Sequence, residues 1–333
     1  MIKDRIKAYC DTLGLDLVGF VKCREFSELR EFYMKRKELN IENTFEENDI
    51  DKRINQKHYM EEGKTIITIA FPYLFDANYK DNGLSLYTRG EDYHKILKIY
   101  LDKLCMFISE ELKGNALSFV DSNTLPERYI AYLGKIGFIG KNNLLITKKY
   151  GSYVFLGEVI MDLEVEDYDD NHITFDDILK FKECVDCRIC YDKCPTKAIN
   201  NNLKNSNICL SYITQQKEIE DKWFALLNGR VFGCDTCQKF CPHNLKTEKS
   251  NIKEFYPLDF SNNFNIDDII NINKGDFNKT LKRTSCGWRG KNVLSRNALI
   301  RKYIFKNIDI KDLKITSPYV EEYRNRLLKI KKI

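Results

Sequence analysis

The sequence predicts an α+β protein made of three parts, and three observations support this expectation. Patterns typical of strands and helices alternate through residues 1–175. Eight cysteines are concentrated between residues 176 and 250. Residues 251–333 read as a polar loop followed by a basic helix, which predicts a short, mostly helical C-terminal region. A chain of 333 residues is long enough for two or three domains.

Three helices are expected in the N-terminal part. Apolar side chains recur at helical spacing over Lys3–Leu13 and over Asp92–Lys113, and a glycine follows each segment as a common helix stop. A third, short helix is predicted to begin at the pattern Thr124-Leu-Pro-Glu127 and to reach about Lys135. That pattern is typical of a capping box, which would account for Glu127.

The strands of this part are indicated by β-branched and apolar runs. The clearest is Thr65–Phe71, which is followed by a proline. The other predicted strands are Leu117–Val120, Leu144–Thr147 and Tyr153–Met161. The acidic segment Glu164–Asp177 is expected to be a surface linker between the first two parts.

The cysteine-rich segment carries the strongest chemical signal. It reads Cys184-x2-Cys187-x2-Cys190-x3-Cys194-Pro195, then Cys209, then Cys234-x2-Cys237-x3-Cys241-Pro242. This is the bacterial ferredoxin spacing, in which the fourth cysteine of a run ligates the other 4Fe–4S cluster. We therefore expect a ferredoxin-like domain over residues 176–250 that holds two clusters. The expected ligands are Cys184, Cys187, Cys190 and Cys241 for one cluster and Cys194, Cys209, Cys234 and Cys237 for the other.

Two other uses of these cysteines fit the sequence less well. Disulfides require an oxidising compartment, and the charged first ten residues lack the apolar run of a signal peptide. Zinc ribbons also use Cys-x2-Cys pairs, but they need only two pairs and no Cys-Pro after each run. The four remaining cysteines are expected to be small buried hydrophobic residues; they are Cys10, Cys23, Cys105 and Cys286.

The charge of the chain is unevenly distributed. Nine basic and no acidic residues lie between Phe277 and Asn307, and they exceed the whole net charge of +5. A local basic stretch on an otherwise acidic protein indicates a polyanionic partner, although a solvated helix face would look the same. No run approaches the ~18 apolar residues of a membrane span. We therefore expect a cytoplasmic protein.

Three polar segments stand out among the N-terminal elements. They are Tyr87–His94, Phe119–Ser122 at the end of a strand, and the glycine-rich turn Gly137–Asn143. Asp121 could project into a cleft and donate a proton, whereas an Asx turn or helix cap is the usual role of such an aspartate. His94 is most simply a structural residue of its helix. The glycine-rich turn lacks the Ser or Thr of a phosphate loop.

The order of these motifs resembles the epoxyqueuosine reductase family. The resemblance covers about residues 53–300 and includes the Tyr87–His94 segment, Val120-Asp121-Ser122 and the glycine-rich turn. It continues through Leu156-Gly157-Glu158, both cysteine runs and Arg296-Asn297-Ala298. The family consists of iron–sulfur and cobalamin enzymes that remove the epoxide oxygen of epoxyqueuosine at the wobble position of tRNA.

This resemblance implies a set of site residues. The N-terminal part would be an α/β cobalamin-binding reductase domain, and Asp121 would match the proton donor of the family. Cobalamin would lie between that domain and the cluster near Cys209. The residues that match cobalamin contacts of the family are Arg53, Ile146, Gly157, Ser211 and Asp235. An external donor such as flavodoxin or ferredoxin would supply electrons, and we expect a monomer.

The chemistry of reductive epoxide opening agrees with these roles. Asp121 would need a proton at neutral pH, so we predict that an apolar, partly dry pocket raises its pKa. The basic stretch 277–307 would contact phosphates of an anticodon stem-loop. Trp288 and Phe277 lie within that stretch and could stack on bases, or could simply pack in a core.

Two other functions remain open at this point. A reductive dehalogenase-like enzyme would also pair cobalamin with two 4Fe–4S clusters, but the chain shows no export signal and has the basic stretch. A non-catalytic two-cluster electron carrier would need neither the N-terminal domain nor the basic stretch. Binding of queuosine-type tRNA and of cobalamin would separate the three.

Overall fold

A computed structural model of the chain describes residues 1–170, 174–200, 203–263 and 265–330. Its N-terminal part is built on an antiparallel four-stranded sheet with the strand order β1-β2-β6-β3. The strands of this sheet are β1 (Val18–Lys22), β2 (Thr65–Pro72), β3 (Ala116–Phe119) and β6 (Val154–Met161). A separate hairpin pairs β4 (Phe138–Ile139) with β5 (Leu145–Ile146).

Helices cover both faces of the four-stranded sheet. The helices of the N-terminal part are α1 (Ile2–Thr12), α2 (Arg30–Glu38), α3 (Ile50–Ile54), α4 (Tyr93–Leu112) and α5 (Glu127–Leu133). One core packs α1 and α4 against the sheet, and a second core packs α2 and α5 against its other face. Every residue of β2 is buried, as expected for a central strand between two helical layers.

The predicted elements of this part are found, with two differences. Helix α4 ends with Lys113 in the left-handed conformation at φ 60°, one residue before the expected stop at Gly114. Helix α5 begins at Glu127 with no side-chain cap, so the predicted capping box is wrong. The hydroxyl of Thr124 instead donates to the Lys52 carbonyl at 2.8 Å. A hydrogen bond to a distant segment therefore takes the place of the predicted hydrogen bond within the first turn of the helix.

A pair of glycines lets α5 lie directly on the sheet. A Cβ atom at Gly19 of β1 would collide with the backbone of Gly134 at the end of α5. Because neither residue carries a side chain, helix and strand approach at backbone distance. This contact fixes the end of the helix over the sheet.

The acidic segment between the first two parts packs on the protein along much of its length. Glu166 accepts hydrogen bonds from the first amides of α1, and Asp169 pairs with the backbone of Phe20 in β1. The portion of the predicted linker at 171–173 lies outside the described residues. The described portion is therefore docked along the free edge of β1.

Short helices and loops carry the cysteines and the C-terminal region. The helices of the cysteine-rich segment are α6 (Phe175–Leu179), α7 (Ile189–Lys193), α8 (Leu210–Ile213), α9 (Lys222–Leu227) and α10 (Thr236–Lys239). The C-terminal helices are α11 (Asp259–Asn263), α12 (Ile266–Ile270), α13 (Lys274–Lys279), α14 (Lys291–Ile300), which continues as a π-helical turn over Arg301–Phe305, and α15 (Pro318–Lys329).

The C-terminal region is more ordered than the expected loop and basic helix. Its helices α12, α14 and α15 share one hydrophobic core with α8 and α9 of the cysteine-rich segment. Residues Val293–Ile300 of α14 are all buried. In the part of the chain that the structure describes, no helix has both the length and the apolar character needed to cross a membrane.

Candidate functional site

A cleft of about 860 Å³ opens where the N-terminal part meets the cysteine-rich segment and the C-terminal region. The N-terminal side of the cleft is formed by the loop at 45–48, the start of α4 and the turn after β3, together with Tyr59 and Tyr87. Gln215, Phe232, Ser285 and Trp288 line the opposite side. The cleft therefore lies between the predicted reductase domain and the predicted electron-transfer domain.

Asp121 lies on the wall of this cleft, two residues after β3 ends. Its backbone has φ 50°, in the left-handed region, and its side chain is 57% exposed. The carboxyl oxygen Oδ2 lies 3.1 Å from Nε2 of His94. The carboxyl group thus faces the cleft beside a histidine, and the apolar, dry surrounding that we expected for it is not present.

His94 links Asp121 to a second carboxylate. Its Nδ1 atom lies 2.7 Å from Oδ1 of Asp92, whose carboxylate also accepts from the first turn of α4. Partial burial disfavours the charged imidazole, but the hydrogen bonds to Asp121 and Asp92 outweigh it and raise the pKa of His94 to about 9. At neutral pH both ring nitrogens carry protons, and Nε2 donates to Asp121.

Glu127 lies beneath the turn that carries Asp121. Its Oε1 atom accepts hydrogen bonds from the Asp121 amide and from Nδ2 of Asn123, each at 3.0 Å. Burial and the neighbouring charge of Asp121 raise the pKa of Glu127 to about 7. The sequence pattern explained this residue as part of a capping box, whereas the structure places it next to the candidate acid.

Aromatic side chains form much of the remaining wall. Tyr93 stacks on Phe155 with a centroid distance of 4.3 Å, and its hydroxyl bonds to Asp121. Tyr87 lines the cleft, and a hydrogen bond joins it to Ser211. Desolvation by burial is the main cause that raises the pKa of both tyrosines, so both stay neutral. The wall is therefore apolar with a few hydroxyl groups.

The residues that match cobalamin contacts occupy different surroundings. Asp235 accepts from the Leu86 amide at 2.9 Å through Oδ2, while its buried Oδ1 has no partner. Arg53 bonds to Glu42 and Glu46 and so holds the loop at 42–48, which borders the cleft. Ile146 and Gly157 are buried. A side chain added at position 157 would point toward α4.

The cysteines approach one another in two groups. Burial is the main cause that raises the pKa of the Cys190 thiol to about 11, and the nearby thiols of Cys184, Cys187 and Cys241 contribute. Burial likewise raises the pKa of Cys237 well above its usual range, with contributions from its neighbours Cys234, Cys209, Cys194 and Cys190. The predicted ligand sets, in which each run lends one cysteine to the other cluster, require such proximity and stay a prediction.

Backbone and side-chain donors surround these thiols. The Lys141 amide of the glycine-rich turn donates to Sγ of Cys184 at 3.5 Å, and Nε of Arg230 donates to Sγ of Cys234 at 3.0 Å. Hydrogen bonds of this kind stabilise ligated sulfur. Among the described residues, no three His, Cys, Asp or Glu side chains converge on one metal-ion position.

Comparisons with known proteins agree with this geometry. A model of the 4Fe–4S double cluster binding domain matches residues 183–244, and a model described as epoxyqueuosine reductase QueG, DUF1730 matches residues 53–122. The epoxyqueuosine reductase of Bacillus anthracis is 33% identical over 322 residues, which cover 92% of this chain and 81% of that protein. The Staphylococcus aureus enzyme is 31% identical with the same coverage. The chain belongs to the epoxyqueuosine reductase family.

Solved structures of this family extend the agreement to the whole fold. An epoxyqueuosine reductase bound to an epoxyqueuosine-modified tRNA-Tyr stem loop superposes with a TM-score of 0.86 at 28% identity, covering 98% of this chain and 89% of that one. The Bacillus subtilis enzyme, described with its catalytic aspartate loop swung out of the active site, gives 0.81 at 27%, with 99% and 95% covered. The chain accordingly binds two 4Fe–4S clusters and is an oxidoreductase.

Part of the basic stretch 277–307 is buried, whereas we expected its cations to be exposed for contact with tRNA. Arg296, Arg301 and Lys302 are buried. Arg296 donates to the carbonyls of Gln216 and Lys217, and Lys302 pairs with Asp267 at 2.7 Å. These cations hold the C-terminal core together. The exposed members of the stretch are Lys279, Lys282, Arg283 and Lys306.

Of the two aromatic residues that we singled out in the basic stretch, one is buried and one is exposed. Phe277 is buried, so its alternative role in core packing is the correct one. Trp288 is 49% exposed and lines the cleft. Its ring meets Phe45 edge-on at 5.4 Å, and the Arg289 guanidinium lies 4.4 Å from the Trp288 centroid. Phe45 belongs to a polar loop without any periodic signal, so sequence patterns could not have identified it.

Proposed function

We propose that this chain reduces epoxyqueuosine to queuosine at the wobble position of tRNA, with Asp121 as the proton donor. The observation that carries the role of Asp121 is its hydrogen bond to His94 on the wall of the cleft. Removing an epoxide oxygen as water consumes two electrons and two protons. The site must therefore deliver both, and the surrounding residues are arranged for this task.

The two clusters are the source of single electrons. They lie in the segment that forms one side of the cleft, while Asp121 is on the other side, so electrons and protons approach the substrate from opposite walls. Flavodoxin or ferredoxin as the physiological electron donor stays a prediction, and so does the monomeric state.

We propose that the cleft also holds cobalamin. Its volume, its apolar aromatic wall and the unpartnered Oδ1 atom of Asp235 behind Tyr87 fit a large, partly polar cofactor. Ser211 and Asp235 would contact it from the cluster side, and Arg53 would act through the loop at 42–48. Backbone contacts near Ile146 and Gly157 stay predictions of the family resemblance. When bound, cobalamin supplies a strongly reducing cobalt centre for opening the epoxide ring.

Asp121 and His94 together carry the first proton. The imidazolium of His94 donates to the carboxylate of Asp121, so a proton is held at the wall of the cleft. As negative charge develops on the epoxide oxygen, Asp121 can take this proton from His94 and pass it to that oxygen, which leaves His94 neutral. The hydrogen bond from His94 to Asp92 keeps the ring oriented for that transfer.

The tRNA is proposed to bind over the mouth of the cleft. The relative solved with a modified stem loop shows that this fold accepts such a ligand. Here Phe45 and Trp288 offer exposed aromatic rings at the cleft, on which unpaired bases of the anticodon loop can stack. The exposed cations of the basic stretch would contact the phosphates.

An anaerobic assay tests the function directly. The cluster-loaded protein would be supplied with cobalamin, a reductant and epoxyqueuosine-containing tRNA, and the nucleosides would be analysed by mass spectrometry. We expect conversion to queuosine that requires cobalamin. Cobalamin binding without conversion would assign the machinery to another substrate. Conversion that is independent of added and bound cobalamin would refute the cofactor.

A further inference from the structure

The reaction needs two protons, and the Asp121–His94 pair is directly placed to release only one through Asp121. Two further carboxyl groups lie beneath the same turn. Glu127 begins α5, and Glu158 lies on β6, where it faces Thr68 of β2 and Phe119 of β3 in the sheet register. Neither has been given a role, although Glu158 belongs to a motif that the sequence singled out.

Glu158 is an isolated acid in the middle of the sheet. Its side chain is fully buried. Thr68 donates to Oε1 at 3.4 Å, and Oε2 has no partner. Burial, with the nearby charge of Glu127, raises the pKa of Glu158 well above its usual range. A buried carboxyl group without a cation is costly when ionised, so Glu158 is a neutral acid that carries a proton.

Glu127 connects this buried acid to the wall of the cleft. It accepts a hydrogen bond from the Asp121 amide. Its negative charge contributes to the raised pKa of Glu158 and of the Tyr93 hydroxyl, which bonds to Asp121. The titratable or charged groups that face Glu127 are Asp121, Tyr93, Glu158 and Arg128. Three carboxyl groups thus follow one another from the sheet to the cleft.

A purely structural role does not require an acid at position 127. The two hydrogen bonds that hold the turn both end on Oε1, and an amide oxygen would accept them equally well. The carboxyl group differs from an amide in being able to store and release a proton near neutral pH. Burial and the charge of Asp121 make ionisation of Glu127 less favourable, which keeps that proton available.

We propose, building on the proposed function, that Glu127 holds the second proton of the reaction and passes it to Asp121 after the first transfer. The balance is complete. The epoxide oxygen takes one proton from Asp121 as the ring opens. A second proton, released by Glu127 through Asp121, converts the departing hydroxide to water, and two electrons from the clusters accompany them. Solvent protons reload Glu127.

The test compares Glu127→Gln with Asn123→Ala in the cluster-loaded protein. Asn123→Ala removes one hydrogen bond from the same carboxyl group and keeps the proton. We expect Glu127→Gln to lower kcat by roughly 10- to 100-fold at neutral pH without changing KM for tRNA, and to remove an ionisation from the kcat profile. Asn123→Ala should change kcat less than threefold. Equal losses in both variants, or an unaltered pH profile in Glu127→Gln, would overturn the relay.

A second readout needs no turnover. Infrared spectra of the cluster-loaded protein, recorded without tRNA as pH is raised, should show a carboxyl band that titrates near pH 7 in the wild type and is missing in Glu127→Gln. A band that persists in the variant, or none in the wild type, overturns the relay even if epoxyqueuosine is reduced. Loss of wild-type turnover with the band present would instead refute the proposed function.

Discussion

Nε2 of His94 and Oδ2 of Asp121 lie 3.1 Å apart on the wall of the cleft, although 26 residues separate them along the chain. The contact joins the first turn of α4 to the end of β3. It exists because the two elements are neighbours over the sheet, and because the left-handed backbone of Asp121 turns its carboxyl group toward the helix. This relationship leads to the first two predictions.

Asp121→Asn should reduce conversion of epoxyqueuosine by about 10²- to 10⁴-fold, because an amide cannot donate a proton to the leaving oxygen. Affinity for the tRNA should change little, since the asparagine keeps the shape of the side chain. Single-turnover mass spectrometry and a binding assay measure the two effects. Ser122→Ala, the neighbouring exposed position on the cleft, serves as the control. Unaltered turnover in Asp121→Asn would remove Asp121 from the mechanism.

His94→Gln should alter the pH dependence of stability. The pKa of His94 is raised from 6.5 to about 9 in the folded protein, so its stabilisation is fully present below about pH 6.5 and is lost as pH rises through about 9. The difference in Tm between wild type and variant should be larger at pH 6 than at pH 9.5. Solvent screening limits the effect to about 1 kcal/mol, because the side chain is 36% exposed. A pH-independent difference would contradict the ion pair.

Arg296→Ala should destabilise the fold by about 2–4 kcal/mol, because it leaves the Gln216 and Lys217 carbonyls and the Tyr319 hydroxyl without their buried donor. Urea denaturation measures the loss. Lys282→Ala, an exposed change in the same basic stretch, should leave stability within about 0.5 kcal/mol. If Arg296→Ala folded as stably as Lys282→Ala, the buried contacts would be energetically unimportant.

The double variant Lys279→Ala, Lys282→Ala should weaken tRNA binding and lower the dependence of log Kd on log salt by roughly 1 to 2, because each phosphate contact contributes about 0.7–0.9 to that slope. Binding titrations at several salt concentrations provide the measurement. Lys7→Ala, Lys103→Ala changes two lysines of α1 and α4 and is the matched control of charge. Equal slopes for both double variants would exclude this part of the stretch from the tRNA interface.

Trp288→Ala should weaken binding of an anticodon stem-loop by roughly 5- to 150-fold, equivalent to about 1–3 kcal/mol for one stacked base. The salt dependence should stay unchanged, because no charge is removed. Tyr256→Ala removes an aromatic ring of similar exposure that does not line the cleft, and it should bind normally. Normal binding by Trp288→Ala would mean that the ring only closes the cleft.

Much of the fold could be predicted because local patterns and tertiary structure agree. The β-branched run Thr65–Phe71 forms the buried central strand, and the apolar stripe of Asp92–Lys113 forms a helix on the sheet. The cysteine spacing predicted the cluster domain because the ligands of a cluster are fixed by short turns of chain. In these cases the chemistry depends on neighbours in sequence.

The remaining features depend on contacts between distant segments. The segment Thr124-Leu-Pro-Glu127 matches the sequence pattern of a capping box. In the structure, however, the Thr124 hydroxyl donates to the Lys52 carbonyl, and the Glu127 carboxyl group accepts from the Asp121 amide. Arg296 looked like a cation available to tRNA, yet carbonyls from another segment enclose it. Charge and spacing alone do not show whether a cation is buried or which strand end an acid will face.

The shared core of α8, α9, α12, α14 and α15 has a thermodynamic consequence. Cys209 immediately precedes α8, and Cys234 follows the stretch of chain after α9, so the scaffold of one cluster is continuous with the C-terminal helices. Loading that cluster and folding those helices are therefore linked equilibria, in which each makes the other more favourable. If those helices bind tRNA as proposed, iron starvation would loosen that face, and a bound tRNA would slow the release of iron.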